Sequence, residues 1–240
     1  MRKHAIDYVP GCAELGDFDA TSTTVALAPT GAADLLPESA VRRTFERYWE
    51  FFAARLKGHE PWEAFTPYET RVIGSFVRLG WRVRARNALE FFLKHREPLG
   101  WRQWPEIAYR DPRTPKTLGD LPHTWVGSDY ARSVLDMIAY DRGRDSALVL
   151  AAGLPYEWIV GEGLRVRDLR TPYGMLSLTL VARSGTVDAT IDRGLRVPPG
   201  GIVVLPPASF SSVTIDGRAA ALTPDGGAIV LRLPARLVFR

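Results

Sequence analysis

The sequence predicts an α+β chain, with antiparallel helical hairpins first and a small antiparallel β-sandwich last. Three observations carry that reading. Apolar residues recur at helical spacing from about residue 37 to 141, and after about residue 163 their period falls to two. No βαβ alternation and no Gly-rich phosphate loop of the dinucleotide type intervenes. Helices followed by strands give segregated layers rather than a parallel sheet clothed in helices. The expected domains are residues 1–160 and 161–240.

The clearest helix spans residues 37–56, where Val41, Phe45, Trp49, Phe52 and Leu56 fall on one face and Trp49 reads as core. Pro37 suits its first position and Glu38 the positive end of its dipole. Arg42, Arg43, Glu46, Arg47 and Glu50 form the solvated side. A second helix begins at Thr66-Pro67-Tyr68-Glu69, a capping box, and runs through Val72, Ile73, Phe76 and Val77 until Gly80. A third covers about 81–96, with Ala85, Leu89 and Phe92, before Pro98. A fourth is expected at about 128–141, capped by Ser128 and presenting Tyr130, Val134, Met137 and Ile138. A short fifth opens at Asp145 or Ser146 and closes at Gly153 and Pro155. Alternating helices with brief turns describe stacked antiparallel hairpins.

Strands follow. Leu176, Leu178 and Leu180 alternate with Ser177 and Thr179, and Val187, Ala189 and Ile191 alternate with Asp188 and Thr190. Others are expected at 201–205, 212–216, 228–233 and 236–239, with Asp216-Gly217 as a hairpin turn.

Composition narrows the function classes. With 46% hydrophobic and 24% charged residues the chain is globular, and no apolar run approaches the roughly 18 to 20 residues of a membrane span. No signal peptide is visible behind Arg2 and Lys3. The compartment is left open: cytoplasmic by default, exported if an upstream segment carries a signal. Cys12 is the only cysteine, and His4, His59, His95 and His123 are scattered, so neither a disulfide nor a zinc signature is expected. Lys and Arg number 21 against 21 Asp and Glu in residues 1–160, and 10 against 6 in 161–240. The surplus arginines are spread singly, unlike the basic stripe of a nucleic-acid binder. No Gly-x-Ser-x-Gly elbow and no paired Cys–His motif suggests nucleophilic catalysis.

The most informative stretch is residues 97–127. These 31 residues have little periodicity yet hold three of the seven tryptophans. Long irregular loops in compact domains are usually functional or disordered, and disordered segments are poor in aromatics. Indole faces at Trp101, Trp104 and Trp125, beside Glu106, Asp111, Asp120, His123 and Asp129, suit a sugar ring with one apolar face and a rim of hydroxyls.

Several segments together resemble a known family: Pro10-Gly-Cys-Ala-Glu-Leu-Gly-Asp-Phe-Asp-Ala-Thr-Ser-Thr-Thr24, Thr66-Pro-Tyr-Glu69, Gln103-Trp-Pro-Glu106, Gly119-Asp-Leu-Pro-His-Thr-Trp-Val-Gly-Ser-Asp129 and Leu169-Arg-Thr-Pro-Tyr-Gly174. They are similar to the C-terminal part of bacterial six-hairpin glycosidase-like proteins. These share an (α/α)6 toroid with glucoamylases and α-L-rhamnosidases, and a β-sandwich often follows it. The resemblance covers nearly the whole chain and implies glycoside hydrolysis without a redox cofactor. It departs from the pattern in helix number, since a full toroid needs twelve and about five are legible. The expectation is a portion of a longer enzyme, with an upstream polypeptide completing the ring and covering helix faces left bare.

Glycoside hydrolysis needs two carboxyl groups, about 6.5–9.5 Å apart for inversion and about 5–5.5 Å for retention. Glu106 is the first candidate for the acid, because an adjacent indole would exclude water and raise its pKa; the competing reading is an ion pair with Arg102 or Arg110. Asp19 and Glu14 are candidates for the base, against helix capping and turn formation. Asp17 is a candidate sugar contact; with Asp19 it could ligate calcium, but the loop lacks the acidic spacing of such a site. Tyr68, Glu69, His123, Asp129, Trp101, Trp104 and Trp125 complete the candidate sugar contacts. For Glu69 the rival role is the capping box, and for Asp129 it is a cap on the fourth helix. The rival functions are a noncatalytic carbohydrate-binding module and a chain that docks onto a partner completing the toroid.

Overall fold

A computed structural model describes residues 1–96, 98–113, 115–117 and 119–240; Glu97, at the head of the long loop, lies outside them. Helices and sheets are both present, as the α+β class requires, in two compact units, Met1–Asp136 and Met137–Arg240. The division falls ahead of the 160/161 boundary read from the period change, because strands form before the alternating pattern becomes visible.

The first unit carries helices α1 (Ala20–Leu27), α2 (Glu38–Leu56), α3 (Arg71–Arg78), α4 (Arg82–Lys94) and α5 (Thr124–Ile138), the last running two residues past the division. Helix α1 was not legible as a helix, since its Ala-Thr-Ser-Thr-Thr run reads as loop. On α2 the buried side is Val41, Thr44, Phe45, Tyr48, Phe52 and Arg55, a stripe displaced from the expected one. Leu56 is 40% exposed, and Trp49 is half-buried against Phe52 and Phe76 with the Arg84 guanidinium 5.5 Å from its ring. Gly80, at φ 78°, turns the chain between α3 and α4, where a side chain would be strained. Phe45, Phe52, Ile73, Phe76 and Phe92 are fully buried and form the centre of this unit's core.

Two sequence expectations are corrected in the helical part. The fourth helix starts at Thr124, not Ser128; Ser128 lies inside α5 and donates its hydroxyl to the Trp125 carbonyl at 2.7 Å. The expected fifth helix is instead a strand, Ala147–Leu150, buried along its whole length. A short run apolar on both faces carries no period that separates helix from interior strand.

Two short strands, β1 (Ala64–Phe65) and β2 (Ala108–Tyr109), pair antiparallel and tie the middle of the long loop to the segment before α3. The second unit holds β3 (Ala139–Arg142), β4 (Ala147–Leu150), β5 (Leu164–Thr171), β6 (Gly174–Arg183), β7 (Thr186–Ile191), β8 (Ile202–Val204), β9 (Val213–Ile215), β10 (Arg218–Ala220), β11 (Ala228–Val230) and β12 (Ala235–Phe239). Six strands form one sheet in the order β10-β9-β12-β7-β6-β5, and four form another in the order β11-β8-β4-β3. Leu176, Leu178 and Leu180 of β6, with Val187, Ala189 and Ile191 of β7, are buried as the alternation requires. Asp216 (φ 51°) and Gly217 (φ 77°) make the tight β9–β10 turn, both left-handed as a two-residue hairpin loop prefers. One expectation fails: β4 and β8 run parallel, so the four-stranded sheet is mixed.

Candidate functional site

The site is built where the segment leading into α3 meets the segment opening α5. A 3-10 turn, Pro67–Thr70, delivers Tyr68, and its hydroxyl shares a hydrogen bond with His123 Nε2 at 2.6 Å. On the other side of the His123 ring, Nδ1 lies 3.9 Å from Asp120 Oδ2. Arg71, the first residue of α3, donates from Nε to Asp129 Oδ2 at 2.6 Å. Its guanidinium also lies 5.1 Å from the centre of the Tyr68 ring and 5.4 Å from that of Trp125. Trp125 meets Tyr68 edge-on at 5.6 Å and is 58% exposed, so indole surface is open to solvent beside these polar groups.

Helices α3 and α5 share a second bridge. Arg78 Nε donates to Asp136 Oδ2 at 3.1 Å, and both partners sit seven residues beyond Arg71 and Asp129. The pairs advance together, so the two helices run in the same direction. Gly74 lies at their close approach: a Cβ there would stand 2.9 Å from Asp136 Oδ2. Beside this seam is a hollow of about 240 Å³ lined by Thr24, Arg71, Ser128, Asp129, Arg132 and Ser133 among others.

The carboxyl groups differ in electrostatic setting. Burial raises the Asp129 pKa above its ordinary value, although the hydrogen bond and charge of Arg71 and the charge of His123 pull the other way. For Asp19, burial also acts upward, but hydrogen bonds from the hydroxyls and backbone N–H groups of Ser22 and Thr21 outweigh it and lower the pKa. The Glu14 carboxyl is lowered by hydrogen bonds from the Cys12 thiol and its own backbone N–H.

Tyr68, His123, Trp125 and Asp129 thus come together as sugar-site candidates, joined by Arg71 and Asp120. The others are placed elsewhere or otherwise engaged. Trp104 is 3% exposed and packs on Tyr130 at 5.3 Å, so it has no face to offer a ligand. Trp101 is 63% exposed and shares no ring contact with Trp104 or Trp125 among the described residues; the three indoles do not form one platform. Glu106 is half-buried, and its Oε2 accepts from the Asp120 N–H at 3.3 Å while its own N–H donates to the Asp120 carbonyl at 3.0 Å. Its carboxylate staples the loop, and the expected pairing with Arg102 or Arg110 is not what engages it. Asp19 is the N-cap of α1, accepting from the N–H groups of Thr21 and Ser22. Glu14 is exposed, and Asp17 accepts from the Cys12 N–H at 2.8 Å.

The capping box at Thr66 is also corrected. Thr66 makes no side-chain cap bond, and Glu69 is buried, accepting from the Tyr48 hydroxyl and from Arg55 at 3.0 and 3.3 Å. A buried arginine in the last turn of α2 outcompetes the local backbone for this carboxylate, and it also removes Glu69 from contact with any ligand. Sequence reasoning missed Arg55, Tyr48 and Arg71. Arg71 sits where a first-turn charge reads as solvated surface, whereas Tyr48 lies four residues before Phe52 and Arg55 three after it, a spacing that marks a buried pair only once Glu69 is placed.

Among the described residues no group of three or more His, Cys, Asp or Glu side chains is arranged to hold a metal ion. Neither protein-family models, nor curated proteins, nor solved structures match the chain.

Proposed function

We propose that this chain is a carbohydrate-active protein whose sugar contacts are Trp125, Tyr68, His123 and Asp129, and that it forms part of a glycoside hydrolase. One observation carries the reading: an indole 58% open to solvent stands beside a phenol, an imidazole and a carboxylate tied into a hydrogen-bonded cluster. Stacking surface next to paired donors and acceptors matches a pyranose, whose apolar face is ringed by hydroxyls. The parallel course of α3 and α5 supports a ring of hairpins, in which alternate helices share a direction, and the two sheets of the second unit support a sandwich. A complete toroid would need helices beyond these five.

For hydrolysis, the proton donor must keep its proton near neutral pH; burial raises the Asp129 pKa, but its ion pair with Arg71 favours the carboxylate. Asp129 therefore suits a sugar contact, and Glu106 is kept as the candidate acid. A noncatalytic sugar-binding module is the second reading. It is favoured by the engagement of Glu106 and Asp19 with backbone N–H groups of their own loop and helix.

Calorimetry against a panel of mono- and oligosaccharides tests the binding, with release of reducing sugar followed in parallel. Binding that Trp125→Ala weakens ~10-fold or more, as loss of a stacking residue predicts, supports the sugar surface. Sugar release abolished by Glu106→Gln supports hydrolysis and names the acid. Binding with no release selects the noncatalytic module, and no binding to any sugar rejects both.

A further inference from the structure

A second hollow in the first unit, of about 630 Å³, lies between the end of α2, residues 58–62, the last turns of α4 and Arg110. None of Tyr68, His123, Trp125 and Asp129 lines it. Its size falls within the roughly 300–1,000 Å³ of small-molecule sites.

Two features of its lining point to one kind of occupant. Trp62, Phe91 and His95 make an aromatic wall: Trp62 meets His95 at 5.0 Å and Phe91 at 5.7 Å, and Phe91 meets His95 at 4.6 Å. Lys94 and Arg110 border it as cations, and no ion pair among the described residues takes either. Arg55, only 6% exposed, also lines it; two of its nitrogens serve Glu69, and its Nε–H is buried with no hydrogen-bond partner.

Glu60 and Glu90 are the acidic members of the lining, and Glu90 already accepts from Arg86 at 2.8 Å. Burial, and then the charges of Lys94 and Arg110, lower the His95 pKa.

We propose that this hollow binds a small ring-bearing organic anion. Its ring lies against Trp62 and His95, which the buried Phe91 backs, and its carboxylate or phosphate is held by Lys94 and Arg110. A guanidinium beside an ammonium suits either anion, the first as a planar fork and the second as a point charge. The site is separate from the sugar surface and does not depend on it.

Calorimetry on the whole chain tests this with benzoate and phenyl phosphate, their neutral counterparts benzamide and phenol, and inorganic phosphate alone. At least one ring-bearing anion is expected to bind, with its neutral counterpart and bare phosphate each ~10-fold weaker or more, since charge and ring both contribute. Whether benzoate or phenyl phosphate binds tells carboxylate from phosphate. The double variant Lys94→Ala, Arg110→Ala changes two exposed side chains; with its fold checked by circular dichroism, it should lower that affinity ~10-fold or more. Trp125→Ala should leave it unaltered, which separates this site from the sugar surface. The proposal is overturned if no ring-bearing anion binds, if the neutral counterpart binds equally well, or if the double variant binds like the parent chain.

Discussion

Glu69 shows how far a single side chain can depart from its local signal. Its sequence position offers a helix cap, yet its carboxylate is buried between Tyr48 and Arg55, and burial together with the Glu69 charge pushes the Tyr48 pKa well up. Replacing Glu69 with Leu leaves Arg55 charged and uncompensated among Phe52, Phe65 and Phe91, and should cost about 3–5 kcal/mol in urea unfolding. Adding Arg55→Met should restore much of that loss. Asp19 and Asp129 make a paired prediction in pH. The folded Asp129 carboxyl is raised from an ordinary 3.8, so its contribution to stability is full below that value and fades as pH climbs through the folded pKa. The Asp19 carboxyl is lowered from 3.8, so its contribution is full above that value and is lost as pH falls through the folded pKa. Unfolding measured across the acid range should show Asp129→Asn gaining on the parent chain as pH rises and Asp19→Asn losing ground. At neutral pH, Asp19→Ala should cost about 1 kcal/mol as the loss of an N-cap.

At the scale of elements, the seam between α3 and α5 is the feature on which the candidate site rests. Arg71–Asp129 and Arg78–Asp136 lock the two helices in register, and Gly74 lets them approach. In an isolated helix Ala would be favoured over Gly by about 1 kcal/mol. Here the added methyl meets Asp136 Oδ2 at 2.9 Å and Ser133 Oγ at 3.4 Å. Gly74→Ala is therefore expected to destabilise the chain, by about 1–3 kcal/mol, as crowding in a packed contact outweighs propensity. An increase in the urea midpoint would show instead that the seam yields. Trp125 lies at the start of α5 but on its open side, so Trp125→Ala should leave the midpoint within about 0.5 kcal/mol of the parent while sugar affinity falls.

The whole molecule has two cores, one centred on Phe45, Phe52, Phe76 and Phe92 and the other on Leu148, Leu150, Leu176 and Phe239. Separate cores predict more than one unfolding transition, and scanning calorimetry with helix and aromatic signals followed together should resolve them; a single coincident transition would count against independent units. The chain order of α before β, the α2 stripe through Phe45 and Phe52, the alternation of β6 and β7 and the Asp216-Gly217 turn were legible in the sequence, because each depends on residues within a few positions of one another. Helix α1 escaped because its small hydroxyl-bearing residues carry no apolar stripe. Strand β4 was misread because Ala147–Leu150 is buried on both faces, which erases the period. The long loop was rightly picked out as aromatic-rich, but which of its indoles stays open was not legible: Trp104 turns inward onto Tyr130 while Trp125 faces outward beside Tyr68. By itself, then, the sequence determined the class of fold, its punctuation and the neighbourhood of His123, Trp125 and Asp129, all set by short-range spacing. Only the tertiary structure decided that Arg71 would join them, that Glu69 would be buried with Arg55, and that Glu106 would brace its own loop, because those pairings span 14 to 58 residues or compete with local bonds of similar strength.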